Sequence, residues 1–115
     1  MAKKKIKFFL AVFFSLNAVA QHKNVRLIFE WDYSEDTVFV YSANVTLYSQ
    51  TITTDHRTGK ADHIDIKDFE GKKLFIKVNN GPPRKLKIGR FQYFGIGYIN
   101  RKILFGKYKE EPLYI

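Results

Sequence analysis

The stretch KKLFIKVNNGPPRKLKI, Lys72 to Ile88, sets two alternating runs of apolar and basic residues on either side of a glycine-proline loop. Leu74, Ile76 and Val78 alternate with Lys73, Phe75 and Lys77, and Leu86 and Ile88 alternate in the same way with Lys85 and Lys87. A period of two sends one set of side chains into a core and leaves the lysines to water or to a sheet edge. Between the two runs lies Asn79-Asn80-Gly81-Pro82-Pro83. Glycine supplies an unusual backbone angle there and the prolines stop the hydrogen-bond ladder, so the segment reads as a β-hairpin.

The same period extends in both directions. Thr37 to Tyr41 (TVFVY) and Val45 to Thr54 (VTLYSQTITT) are dense in β-branched and aromatic residues, with Ser42-Ala43-Asn44 as the turn of a second hairpin. Asp55 to Lys60 is a polar connection in which Gly59 takes a positive φ. Ala61 to Ile66 is a short strand, and Lys67 to Gly71 the next turn. In VRLIFEW, Val25, Leu27, Phe29 and Trp31 point one way and Arg26 and Glu30 the other, until Asp32-Tyr33-Ser34-Glu35-Asp36 breaks the strand. Beyond the opening stretch, Phe91 to Ile99 and Lys102 to Tyr108 pair through the two residues Asn100-Arg101. Residues 109–115 read as a tail, expected to dock through Leu113 and Ile115.

Seven to eight short strands with no helical periodicity among them predict an all-β domain, a small antiparallel β-sandwich spanning residues 21–108. The sandwich is preferred to a barrel because the strands differ in length.

The first twenty residues read as a secretory signal peptide. Lys3, Lys4, Lys5 and Lys7 form a positive head, Phe8 to Leu16 an apolar run, and Asn17-Ala18-Val19-Ala20 a small-residue exit. The run of nine residues is short of the roughly 20 that a spanning helix needs, so an uncleaved anchor is the lesser reading. Cleavage would leave a periplasmic or extracellular chain starting at Gln21, without a membrane span. It would also lower Lys+Arg from 20 to 16 against 11 acids, and the formal charge from +9 to +5. Nearly half of the basic excess is then an export label. The mildly basic remainder is compatible with anionic surfaces but far from the arginine-dense composition of a dedicated nucleic-acid binder, and no nucleic-acid partner is expected.

The chain has no cysteine, which removes disulfides, thiolate nucleophiles and Cys-type zinc sites together. Its stability must come from a core, for which the residues after Ala20 supply Trp31, seven phenylalanines and seven tyrosines.

Thr53-Thr54-Asp55, Gly59-Lys60, Ile64-Asp65-Ile66 and Gly71-Lys72 leading into Leu74 to Val78 resemble the transthyretin-like, carboxypeptidase-regulatory type of β-sandwich domain found in exported bacterial proteins. The gap from Asp55 to Gly59 is one residue longer than in the commonest form of that turn, and the usual opening Gly-x-Val segment is missing. The resemblance implies a sandwich that binds, spaces or supports a partner, and it carries over no active-site residue.

Catalytic constellations are wanting. None of the serines sits in a G-x-S-x-G elbow, and Gly95-Ile96-Gly97 lacks the third glycine and the helix of a phosphate-binding loop. Glu30, Asp32, Glu35 and Asp36 around Trp31 could mimic a sugar-binding or hydrolytic pair, although acids in a turn beside a buried tryptophan are commonplace. No metal or other cofactor is expected: His56, Asp62, His63 and Asp65 match no zinc spacing, and only His63, Asp65 and His56 could converge, with exposed turn residues as the plainer reading.

The sequence therefore predicts a non-enzymatic protein that binds a protein or an envelope surface, or else a periplasmic inhibitor or immunity protein that neutralises a toxin or hydrolase. A small carbohydrate binder or hydrolase is the third reading. The candidate binding residues are Trp31, Lys85, Lys87, Arg90, Tyr93, Gly95 and Gly97. Gly95 and Gly97 share a strand face with Phe91 and Tyr93 and leave a groove there, which a core aromatic such as Trp31 is expected to fill; otherwise a partner fills it.

Overall fold

The computed structural model describes residues 23–112. The expected signal peptide, the new terminus at Gln21 and the docking of Leu113 and Ile115 lie outside them. Eight strands, and no helix among the described residues, form two four-stranded sheets: β1 (Lys23–Phe29), β2 (Asp36–Ser42), β3 (Val45–Ile52), β4 (Asp62–Phe69), β5 (Lys73–Val78), β6 (Arg84–Lys87), β7 (Tyr93–Ile99) and β8 (Lys102–Tyr108). The first sheet runs β4-β1-β7-β8 and the second β3-β2-β5-β6. All three expected hairpins are present, as β2 with β3, β5 with β6 and β7 with β8.

The two sheets close on one core. Val25, Leu27 and Phe29 of β1 and Phe94 and Ile96 of β7 meet Val38, Val40, Leu74, Ile76, Val78 and Leu86 of the second sheet, all at most 2% exposed. Each of these positions has the parity that alternation assigns it. Every member of this core lies between Val25 and Ile103.

Four details correct the sequence reading. First, the sandwich is not wholly antiparallel: β1 and β7 pair parallel, with Arg26 opposite Tyr93 and Ile28 opposite Gly95. The 63 residues between Phe29 and Tyr93 allow a crossover far longer than the dozen or so that a parallel pair requires. Second, the turn expected at Lys67 to Gly71 is narrower, because β4 continues to Phe69 and buries that ring.

Third, the β5–β6 loop takes its positive φ at Asn79 (54°) and not at Gly81. Asparagine tolerates this conformation, and here its side chain is also held: Oδ1 accepts from the Thr37 N–H at 2.9 Å and Nδ2 donates to Asp36 Oδ1 at 2.9 Å. Gly59, by contrast, has the expected positive φ, 75°.

Fourth, Trp31 and Tyr33 exchange roles. Strand β1 ends at Phe29, so the inward parity that it would have given Trp31 lapses; Trp31 is 54% exposed and Tyr33 is 2% exposed. The Tyr33 ring packs edge-on to Phe29, and its hydroxyl donates to the Ile96 carbonyl at 2.9 Å. Burial, before any nearby charge, raises its pKa well above the phenol range. Thr54, the one buried polar residue among the described residues, ties this corner together: its Oγ1 accepts from the Tyr33 N–H at 3.0 Å and donates to the Glu30 carbonyl at 2.8 Å.

Candidate functional site

Each sheet turns one face outward, and the candidate residues divide between them. On the first sheet, Tyr93, Gly95 and Gly97 of β7 point away from the core that Phe94 and Ile96 enter. The groove expected over the two glycines exists, but Trp31 does not fill it. A Cβ placed on Gly95 would lie 1.8 Å from Glu30 Oε1, so the carboxylate of Glu30 occupies that space. The Tyr108 hydroxyl, 3.0 Å from both carboxylate oxygens, donates to them from β8. Over Gly97 lies the Trp31 backbone carbonyl, 3.0 Å from where a Cβ would stand and accepting from the Tyr98 N–H at 2.6 Å.

The Trp31 side chain consequently stands at the rim. What remains open is a groove of about 200 Å³, lined by Glu30, Trp31, Gly95, Gly97, Leu104 and Tyr108 among others. Its walls are largely apolar, and the Glu30 carboxylate lies at its floor.

Farther along the same face Tyr93 lies opposite Arg26 in β1. Arg26 donates to both carboxylate oxygens of Asp65, at 2.7 and 3.2 Å, and also pairs with Glu111. The Arg26 hydrogen bond holds the Asp65 carboxyl below the usual carboxylate range. Asp65 is thus engaged by a guanidinium, and no group of three or more possible metal ligands occurs among the described residues. His63 shares its outward parity on β4, and His56 is exposed in the preceding turn, where Asp55 accepts from Arg57. Asp62 faces the other way and accepts from the Tyr48 hydroxyl at 2.6 Å. Burial first, and this bond second, raise the pKa of Tyr48 above the ordinary phenol value.

The second sheet carries Lys85 and Lys87 outward, opposite the buried Leu86. Across the sheet they have companions outside the candidate binding residues. Lys73 pairs with Lys87 and Phe75 with Lys85 across β5–β6, while Lys77 pairs with Phe39 and Phe75 with Tyr41 across β5–β2. Tyr41 and Phe75 stack with centroids 5.6 Å apart; Lys73 reaches over Phe75 and Lys77 over Phe39, each at 5.7 Å. The alternation of TVFVY with Phe39 and Tyr41 against Val38 and Val40 was the signal for this face.

Arg90 belongs to neither face. It sits in the β6–β7 connection with its guanidinium 5.7 Å from the centre of the Phe91 ring. The stretch from Arg84 to Ile99 is therefore no single platform, since Lys85 and Lys87 lie on one outer surface of the molecule and Gly95 and Gly97 on the other.

The fold and its surfaces define an all-β, sandwich-like domain with an apolar, tryptophan-rimmed groove on one sheet and a lysine-aromatic face on the other. Among the described residues no helix is long and apolar enough to cross a membrane. Comparison of the chain with protein-family models, with curated proteins and with solved structures finds no match.

Proposed function

We propose that this chain is an exported, non-enzymatic β-sandwich protein of transthyretin-like type, which acts as a binding module in the bacterial envelope and presents Trp31 to a protein partner. The signal-peptide pattern of residues 1–20 and the turn from Asp55 to Gly59 support export and type. The observation that carries the function is Trp31 itself, 54% exposed at the mouth of the groove over Gly95 and Gly97. An indole in water beside an apolar recess is an anchor in search of a cover, and tryptophan is the residue type most enriched among energetic hot spots of protein interfaces.

The test is a pull-down from the envelope fraction of the source organism with the chain from Gln21 onward. One stoichiometric partner is expected, bound about 30-fold more weakly by Trp31→Ala, the factor that a hot spot of about 2 kcal/mol implies. Undiminished capture by Trp31→Ala, or a protein found mainly in the cytoplasm, would sink the reading.

A second reading draws on the acids that flank the indole. Asp32 and Glu35 are exposed beside Trp31, so the turn projects an aromatic and negative charge together, a shape suited to plugging the cleft of a toxin or hydrolase. A captured partner whose hydrolytic activity falls to zero at one equivalent would favour this inhibitor or immunity role.

A further inference from the structure

We infer that the outer face of the β3-β2-β5-β6 sheet is a docking surface for an anionic lipid bilayer. The four strands of this sheet contain a single carboxylate, Asp36. It pairs in register with the buried Ile52, and it is occupied by the Ser34 N–H at 2.8 Å and by Asn79. The outward positions of β2, β5 and β6 are therefore Thr37, Phe39, Tyr41, Lys73, Phe75, Lys77, Lys85 and Lys87: four cations, three rings and no anion. Unbalanced charge of one sign on a flat sheet face attracts a surface of the other sign.

Three observations favour a bilayer over other polyanions. All four cations are lysines, compact point charges that suit a fluid layer of headgroups, whereas arginine forks dominate where individual phosphates or carboxylates of a folded partner are read. The one arginine in these strands, Arg84, is spent elsewhere, donating to the Ile103 carbonyl and covering Phe105. The rings of Phe75 and Phe39 each lie beneath a lysine ammonium and so offer no bare platform for stacking bases, the usual device for single-stranded nucleic acid. They match instead the amphipathic pairing of ring and ammonium at a membrane interface, apolar body below and charge at headgroup level.

At the β5–β6 end the face opens into a basin of about 590 Å³ bordered by Lys23, Lys72, Lys73, Lys85 and Lys87 against the single acid Glu70, a recess of net positive charge with room for a phosphate headgroup. The surface lies on the opposite sheet from the Trp31 groove and is independent of the partner proposed for it.

The test is co-sedimentation of the chain from Gln21, which retains every core residue, with vesicles of phosphatidylcholine alone or with 30% phosphatidylglycerol at about 100 mM salt. Binding to the anionic vesicles and not to the neutral ones is expected. Near an anionic membrane each lysine is worth about fivefold in affinity, so Lys85→Gln with Lys87→Gln should weaken binding roughly 25-fold. The matched pair Lys102→Gln with Lys107→Gln, on β8 of the other sheet, should leave it within twofold, and Trp31→Ala should do the same.

Equal losses from both lysine pairs would overturn the inference, since diffuse net charge would then explain the binding. Absence of any preference for anionic vesicles would overturn it as well. So would displacement from vesicles by a thymidine oligonucleotide at equal phosphate, which would point to nucleic acid as the occupant. Thermal midpoints of the variants within a few degrees of the parent would show that loss of binding is not loss of fold.

Discussion

The two outer faces of this domain are built from the same kind of strand and end up with opposite chemistry. On the β4-β1-β7-β8 sheet, two central charges are met by the chain's own groups: Arg26 by Asp65 and Glu111, and Glu30 by Tyr108 above Gly95. On the β3-β2-β5-β6 sheet four lysines share the surface with Phe39, Tyr41 and Phe75, and no outward strand position there carries a carboxylate. The first face offers shape, in Trp31 and its groove, and the second offers charge. Internal pairing of polar groups makes a face part of the folding problem, whereas an unbalanced face leaves its charge to the solvent or to a partner.

Five substitutions, in three experiments, test that contrast. Gly95→Val should have the largest effect, a loss of about 2 kcal/mol in a urea titration, because the new side chain must displace the Glu30 carboxylate and crowd the Tyr108 ring, 3.0 Å from its Cβ. Lys85→Val, on the solvated face, should change stability by less than about 0.5 kcal/mol. Equal losses at the two sites would erase the distinction between a packed face and an open one.

A smaller effect is expected from the ring pair on the lysine face. A double-mutant cycle of Tyr41→Ala and Phe75→Ala should give a coupling of about 0.5–1 kcal/mol, the usual worth of a stacked cross-strand pair. Additive losses would mean that the stack is held by the sheet and contributes nothing of its own.

The smallest effect concerns Asp65. Its folded-state pKa lies below the unfolded value of about 3.9, so its contribution is present above that value and is lost as pH falls through the folded pKa. The pair is partly exposed and screened, which limits it to a few tenths of a kcal/mol. Asp65→Asn should lower the urea midpoint slightly at pH 7, and the difference from the parent should vanish near pH 2 or in 1 M salt. A difference that persists in both would assign the loss to packing rather than to charge.

Much of this molecule was legible in its residues. Alternation over Lys72 to Ile88 placed Leu74, Ile76, Val78 and Leu86 inside and Lys73, Lys77, Lys85 and Lys87 outside. Asn100-Arg101 was recognisable as a two-residue turn, and both residues have the positive φ, 52° and 62°, that such a hairpin demands. These features are local: strand parity and turn chemistry depend on neighbours two to four residues away.

Other features were not legible, for reasons that are equally physical. Nothing near Val25 to Trp31 signals that β1 will lie parallel to β7, because that pairing joins segments more than sixty residues apart. The exchange of Trp31 and Tyr33 was hidden because parity predicts direction only while a strand continues, and where β1 stops is set by its neighbours in the sheet. The groove was foreseen from Gly95 and Gly97, but its occupant, Glu30, was not. The carboxylate reaches that place only once β1, β7 and β8 are side by side.

An all-β chain, its hairpins and the wet side of most strands are thus written in the residues, since a period of two and a turn residue act within one hairpin's length. Assembly of the sheets is what turns the lysines of Arg84 to Lys87 and the glycines of Tyr93 to Ile99 to opposite sides and leaves Trp31 in water. Those outcomes depend on which strands meet across the core, and that choice is made by the packing of whole sheets.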